Sequence, residues 1–348
     1  MAITQSLSSA HVTSINKIAR AIPLTNDVIT IILKYTITSS ANRLDLISLF
    51  EHDSKMRFLV KIILSRKGFD SSVGGVASPI FPSGELHMLP IPESAPNGQA
   101  RQYWEIRAGD FSLGTIVHDL TRGKVKPETF AHLDPDLNAL SVARPANWRP
   151  VFGQAGAAER HLQNQGVEEG DVFVFYGWFR QVELVAGKYR YVRAAPDLHV
   201  IFGWLQVEQR IAVESLAEIP LWARDHPHYK DKKYSNLDSI YVSARHLHLP
   251  GIEIHKPGAG IFHRFTPELC LTAPERSRSI WQLPGWFYPR QPTSILSYHN
   301  DLSRWKLEAD SVLLRSVTRG QEFVLDCQEY PEAVPWLYRL LRLHDTAR

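Results

Sequence analysis

The sequence predicts a mixed α+β fold: a short-stranded sheet, barrel-like in its middle, with flanking helices and a C-terminal helix. Three observations predict it. Short apolar runs recur from residue 57 onward, bounded by Gly, Pro, Asn and Asp, which is the pattern of buried strands. Gly177 and Gly203 sit inside two of these runs, where a strand bends sharply or a second backbone comes close, as at the corners of small barrels. Segments of helical spacing with recognisable ends stand between and after the runs. The 348 residues, 44% of them hydrophobic, suffice for one large core or two smaller ones.

Each element follows in order. Residues 1–55 scatter Ser, Thr, Asn and Ile without a sustained period, although 14–22 has some helical spacing. Met56 is followed at once by a buried-strand pattern over 57–64. Met56 therefore reads as the natural start, with 1–55 an upstream extension or a poorly ordered arm and 56–348 the domain. Prolines flank residues 79–90 and Ser83-Gly84 stands in the middle, which reads as a hairpin with blunted edges. Ser112 caps a helix over 113–121 that stops near Gly123. A short strand at 131–135 runs into a turn. A helix over 155–166 ends on glycine. From 167 to 272 the chain is β, with strands at 170–179, 189–192, 198–207, 239–244 and 268–272. The end reads as helical: 310–317 and 321–326 lead into a helix over 331–344. Pro331 suits its first turn, and Arg339, Arg342 and His344 suit the dipole at its last.

Composition and motifs exclude much. A formal charge of +3 permits a nucleic-acid partner without demanding one. Cys270 and Cys327 match no zinc or redox spacing and read as buried thiols of a reducing cytoplasm. The apolar run 27–38 is too short to span a bilayer and carries Lys34, so no membrane partner is expected. No dinucleotide fingerprint, P-loop, nucleophile elbow, His-Glu-x-x-His or kinase set occurs. No cofactor is assigned.

The first candidate site is the loop after the first strand. Arg66 and Lys67 supply charge, Ser71 and Ser72 hydroxyls, and Gly74 and Gly75 exposed N–H groups for an anion. Asp70 can act as a base or bind a ribose hydroxyl; Asp70 and Ser71 can equally cap their own loop. His118-Asp119 with His132 and Asp134 offer base-plus-carboxylate pairs, with no spacing distinctive of a metal, and no metal is assigned. The pairs His226/His228 and His246/His248, and His263, read as accidental among 15 histidines. Tyr298 and His299, near the aromatic run 281–289 and Trp305, suit a pocket for a flat ring, with His299 as general base. Lys188, Arg190 and Arg193 beside Trp178, and Lys230, Lys232 and Lys233 beside Tyr229 and Tyr234, combine charge with stacking surface.

The stretch 64–72 with Gly74-Gly75 and Ser78-Pro79-Ile80 resembles the start of the family called nucleotide modification associated domain 3. Segments 153–156, 170–179, 297–299 and 321–326 are also similar to it. The resemblance runs from about Met56 to the C-terminus. It implies a role, often bacterial or phage, in systems that make or handle modified DNA bases, with no catalytic residues to carry over. The strands near 170 and 202–207 are also similar to those of PUA-like barrels, some of which read modified bases. Three readings follow. One is a module binding a nucleotide or modified base through the 66–75 loop and Trp178, Tyr298 or Trp305. The second is a group-transfer or hydrolytic enzyme using Asp70 or His299. The third is a non-catalytic scaffold among modification-system proteins.

Overall fold

The computed structural model describes residues 60–94, 100–213, 218–229, 238–290, 296–318 and 322–342. The readings of 1–55 and Met56, and of Lys230, Lys232, Lys233 and Tyr234, lie outside these residues. A nine-stranded sheet organises the rest. Its strands are β1 (Lys61–Arg66), β2 (Ser78–Ile80), β3 (Val151–Ala155), β4 (Val172–Val185), β5 (Lys188–Tyr191), β6 (Leu198–Ala212), β7 (Asp238–Ser243), β8 (Ala259–Ile261) and β9 (Glu322–Asp326). The path runs β9-β1-β4-β6-β7-β3, with β2 and β5 beside β4 and β8 beside β6. β1 lies antiparallel to β9 and parallel to β4.

β1 reads Ile-Ile-Leu with no alternation because both of its faces are buried. On one face Phe152, Phe173, Phe175 and Tyr241 interlock, with ring centroids as close as 4.8 Å. On the other face Tyr176 meets Trp281 at 5.0 Å. Trp281 belongs to a small sheet of Ile280–Pro284, Trp305–Leu307 and Ser311–Arg315. The edge strands β3 and β9 touch through the amide of Gln154, which donates to Glu322 Oε1. The sheet therefore curls until its two edges meet at one end.

Gly177 and Gly203 act as expected of bent or crowded strands. A Cβ on Gly177 would stand 2.8 Å from the Lys67 carbonyl, and one on Gly203 2.8 Å from that of Gly260. The β6 register also shifts between Ile201 and Gly203.

Three helices stand among the described residues: α1 (Leu113–Leu120), α2 (Gly156–Asn164) and α3 (Ala333–Arg342). The Ser112 hydroxyl caps α1 by accepting from the Gly114 N–H. None is long and apolar enough to cross a membrane.

Three expectations are corrected. Ser311–Arg315 and Glu322–Asp326 are strands, not helix; the first buries alternate residues and the second extends the buried sheet beside β1. Residues 268–272 form a 3-10 turn at Pro267–Leu269 and isolated bridges, because Pro267 opens a turn. The 79–90 hairpin is reduced to a bridge between Ile80 and Leu86, while β2 pairs parallel with β4.

Candidate functional site

Strand parity sends the adjacent cations of the first loop to opposite faces. Arg66 shares the face of its partner Tyr176 and donates to the Thr318 carbonyl. Lys67 turns into the concave face, where its side chain is only 8% exposed. Its Nζ stands 3.1 Å from Glu322 Oε1 and 4.4 Å from the centre of the Phe152 ring. Glu322 lies opposite Ser65 in the β1/β9 register, so Ser65, Lys67 and Glu322 share one face, and Gln154 joins them from β3. Ser65 Oγ and Glu322 Oε2 are buried and accept or donate no hydrogen bond among the described residues. An ion pair in an aromatic interior is a poor way to gain stability, since desolvation opposes the Coulomb attraction.

More polar groups surround the pair. Glu159 of α2 is fully buried; it accepts from Arg210 Nε and Ser239 Oγ, both at 2.8 Å, and from the Tyr241 hydroxyl at 2.9 Å. Burial, then the Glu159 charge, pushes the Tyr241 phenol far up. The Ser297 hydroxyl accepts from the Val324 N–H and lies 2.9 Å from His161 Nε2. The ring of Tyr298 is half-exposed and lies 4.3 Å from that of His161. Burial and the nearby Glu322 charge raise the Tyr298 pKa.

Near Lys67 lies a second cluster. Asp134 Oδ1 accepts the Gly153 N–H at 2.7 Å and stands 3.3 Å from His226 Nε2. His228 Nε2 is 3.9 Å from Asp134 Oδ2. Burial opposes the charge on Asp134, but the His226 hydrogen bond, His228 and Lys67 together hold its carboxyl well below the usual range. His132 Nδ1 lies 2.6 Å from Glu93 Oε2.

The other sequence candidates are placed elsewhere or engaged. Asp70 Oδ1 accepts from the Ser72 N–H, the Ser72 hydroxyl and the Val73 N–H, and the Gly75 N–H donates to the Asp70 carbonyl. Of the two glycine N–H groups read from sequence as free for an anion, that of Gly75 is thus used within the loop; Ser71 is exposed. The Trp178 indole N–H donates to Asp197, and the Arg278 guanidinium lies 4.0 Å from its ring. His299 is buried, with Nδ1 3.0 Å from the Ser297 carbonyl and Nε2 accepting from the Val317 N–H, which leaves neither ring nitrogen for a substrate proton. Trp305 is buried and donates to the His299 carbonyl. His118 is exposed beside Asp119, which accepts from the Tyr189 N–H, apart from His132 and Asp134.

Sequence reasoning missed Glu159, Gln154 and Glu322 as individual residues. The available signal was a polar residue inside an apolar strand run, Val-Phe-Gly-Gln and Glu-Phe-Val-Leu. The histidine pair at 226 and 228, read as accidental, packs on Gly153.

The sheet is thus curled and largely antiparallel, with an ionic cluster on its concave face. The model of the family described as nucleotide modification associated domain 3 matches residues 61–326, and the chain belongs to that family. This ties it to nucleotide modification. No curated protein and no solved structure matches the chain. The segments that carry the family likeness also converge in space. Lys67 comes from the first, Gln154 from the second, Ser297 and Tyr298 from a later one and Glu322 from the last.

Proposed function

We propose that this chain is the component of a nucleic-acid base modification system that binds a nucleotide or modified base. The binding group is the cluster of Lys67, Glu322 and Gln154, with Tyr298 and His161 beside it. One observation carries the reading: a buried lysine, carboxylate and amide converge while Glu322 Oε2 and Ser65 Oγ keep unused hydrogen-bonding capacity. Lysine and amide N–H groups donate and the carboxylate accepts, which matches the mixed edge of a base. The half-exposed Tyr298 ring supplies a stacking surface. The 66–75 loop then fixes Lys67 rather than cradling phosphate.

The test is calorimetry on the full chain with nucleotides, nucleotide sugars, and short DNA with plain or modified bases. The isosteric Glu322→Gln variant runs beside it. One ligand class should bind the native chain and bind the variant at least about 10-fold more weakly, at matched melting temperature. Equal binding to both overturns the Glu322 site, and no binding by any class overturns the binding reading and favours the scaffold.

A further inference from the structure

We infer that His132, Asp134 and His228 form a binding site for a divalent first-row transition metal. One ligand atom from each lies within 4.8 Å of the others. The histidines are separated by nearly a hundred residues of sequence, and the fold closes that distance.

His132 Nδ1 lies 2.6 Å from Glu93 Oε2, which fixes its proton there and turns the Nε2 lone pair outward. A carboxylate on the far nitrogen is the standard support for a metal-bound imidazole. His226 Nδ1 accepts from the His228 N–H, so Nε2 carries the ring proton, and it faces Asp134 Oδ1 at 3.3 Å. With the Gly153 N–H at 2.7 Å, this holds Oδ1 and leaves Oδ2 for an ion. His228 Nε2 is 3.9 Å from that oxygen, too far for a hydrogen bond. Bonds of about 2.0–2.2 Å to one ion place neighbouring ligands roughly 3.0–3.5 Å apart, a small closing motion from the spacing here.

The His228 ring is also pinned, since a Cβ on Gly153 would lie 2.3 Å from its Cγ. Two imidazoles and one carboxylate suit zinc, iron or nickel rather than magnesium or calcium, whose ligands are oxygens. Three protein ligands leave a position open for water or substrate. Such an ion would lie close to Lys67, whose charge acts on both Asp134 and His228. The inference stands apart from the proposed base site.

The experiment uses the full chain, stripped with chelator and titrated with Zn(II), then with Co(II) as a visible probe. Bound metal is counted after gel filtration. About one ion per chain and a Co(II) d–d band are expected for the native chain. Glu93→Gln keeps all three ligands and should weaken binding about 10–100-fold. His228→Ala should abolish the band, while Asp70→Ala should leave it unchanged. A folded native chain that retains no ion and gives no band overturns the site. So does a Glu93→Gln or His228→Ala chain that binds as tightly as the native one.

Discussion

Replacing Lys67 with Met tests whether the Lys67–Glu322 pair is as buried as the structure places it. Lys67 is 8% exposed and Glu322 1%. Glu322 Oε1 holds both the ammonium and the Gln154 amide, and Oε2 has no partner among the described residues. Met keeps the aliphatic contact with Phe152 and removes only the charge. A buried carboxylate left without its cation costs about 3–5 kcal/mol. At about 2–4 °C per kcal/mol for a large domain, the melting temperature should fall by roughly 6–20 °C. Adding Glu322→Gln removes the stranded charge while keeping an acceptor for Gln154, so the double variant should recover most of the loss. Urea unfolding of the four chains closes the cycle, and the coupling should exceed about 2 kcal/mol. A Lys67→Met chain within about 1 kcal/mol of native would match an exposed pair, and the placement of Lys67 would be refuted.

Other outcomes follow from the same geometry. For the metal-free chain, burial first, with nearby positive charges for each, lowers His199 and His228 to about 3 and His299 to about 4. Burial raises Asp136 and Asp171 to about 6. Near pH 5 the three histidines are protonated only when unfolded, and the two aspartates only when folded. Three less two leaves about one extra proton on the unfolded chain, so stability should fall by about 1.4 kcal/mol per unit of acidification. Burial also lowers His87 and His161, which adds to the same sign. Urea midpoints at pH 7, 6 and 5 check this, and a chain that gains stability on acidification contradicts it. Tyr298→Ala should weaken the bound base by about 1–3 kcal/mol, roughly 5–150-fold in Kd by calorimetry, with little change in melting because the ring is half-exposed. Gly153→Ala puts a Cβ 2.3 Å from the His228 ring, so metal uptake should drop with that of His228→Ala, read by the same metal count.

The strands were legible because their period and their Gly-Asp and Pro boundaries are local properties. Ser311–Arg315 and Glu322–Asp326 were not, since short apolar runs beside a true helix carry no period that separates the two states. The first loop was legible as a special place, but strand parity, not composition, decides that Arg66 and Lys67 diverge. Asp134 was singled out from its turn, while its partners His226 and His228 come from a distant segment. Glu159 was hidden for a different reason: on α2 it looks like an ordinary solvated helix residue, and only the curl of the sheet buries it against Ser239 and Tyr241.

The glycines of the 66–75 loop distinguish a clamp from a cradle. Gly74 has φ +82, and a Cβ there would lie 2.2 Å from Cδ2 of the Phe69 ring, which is buried in its own apolar cluster with Tyr103 and Leu89. Gly75 has φ +72, and a Cβ there would meet nothing within 4 Å. Alanine at either site bears the left-handed backbone penalty of about 1–2 kcal/mol. Only Gly74→Ala must also expel Phe69, which adds an overpacking cost of about 1–3 kcal/mol. If the loop serves to anchor Phe69 and thereby aim Lys67, Gly74→Ala should lose more stability and more ligand affinity than Gly75→Ala. If the loop instead cradles an anion on its open side, Gly75→Ala should damage binding at least as much while destabilising the chain less. Melting curves and calorimetry on the two variants separate these cases. The internal bonds of Asp70 to Ser72 and Val73 favour the first, because a loop already closed on its own N–H groups has few left to offer an anion.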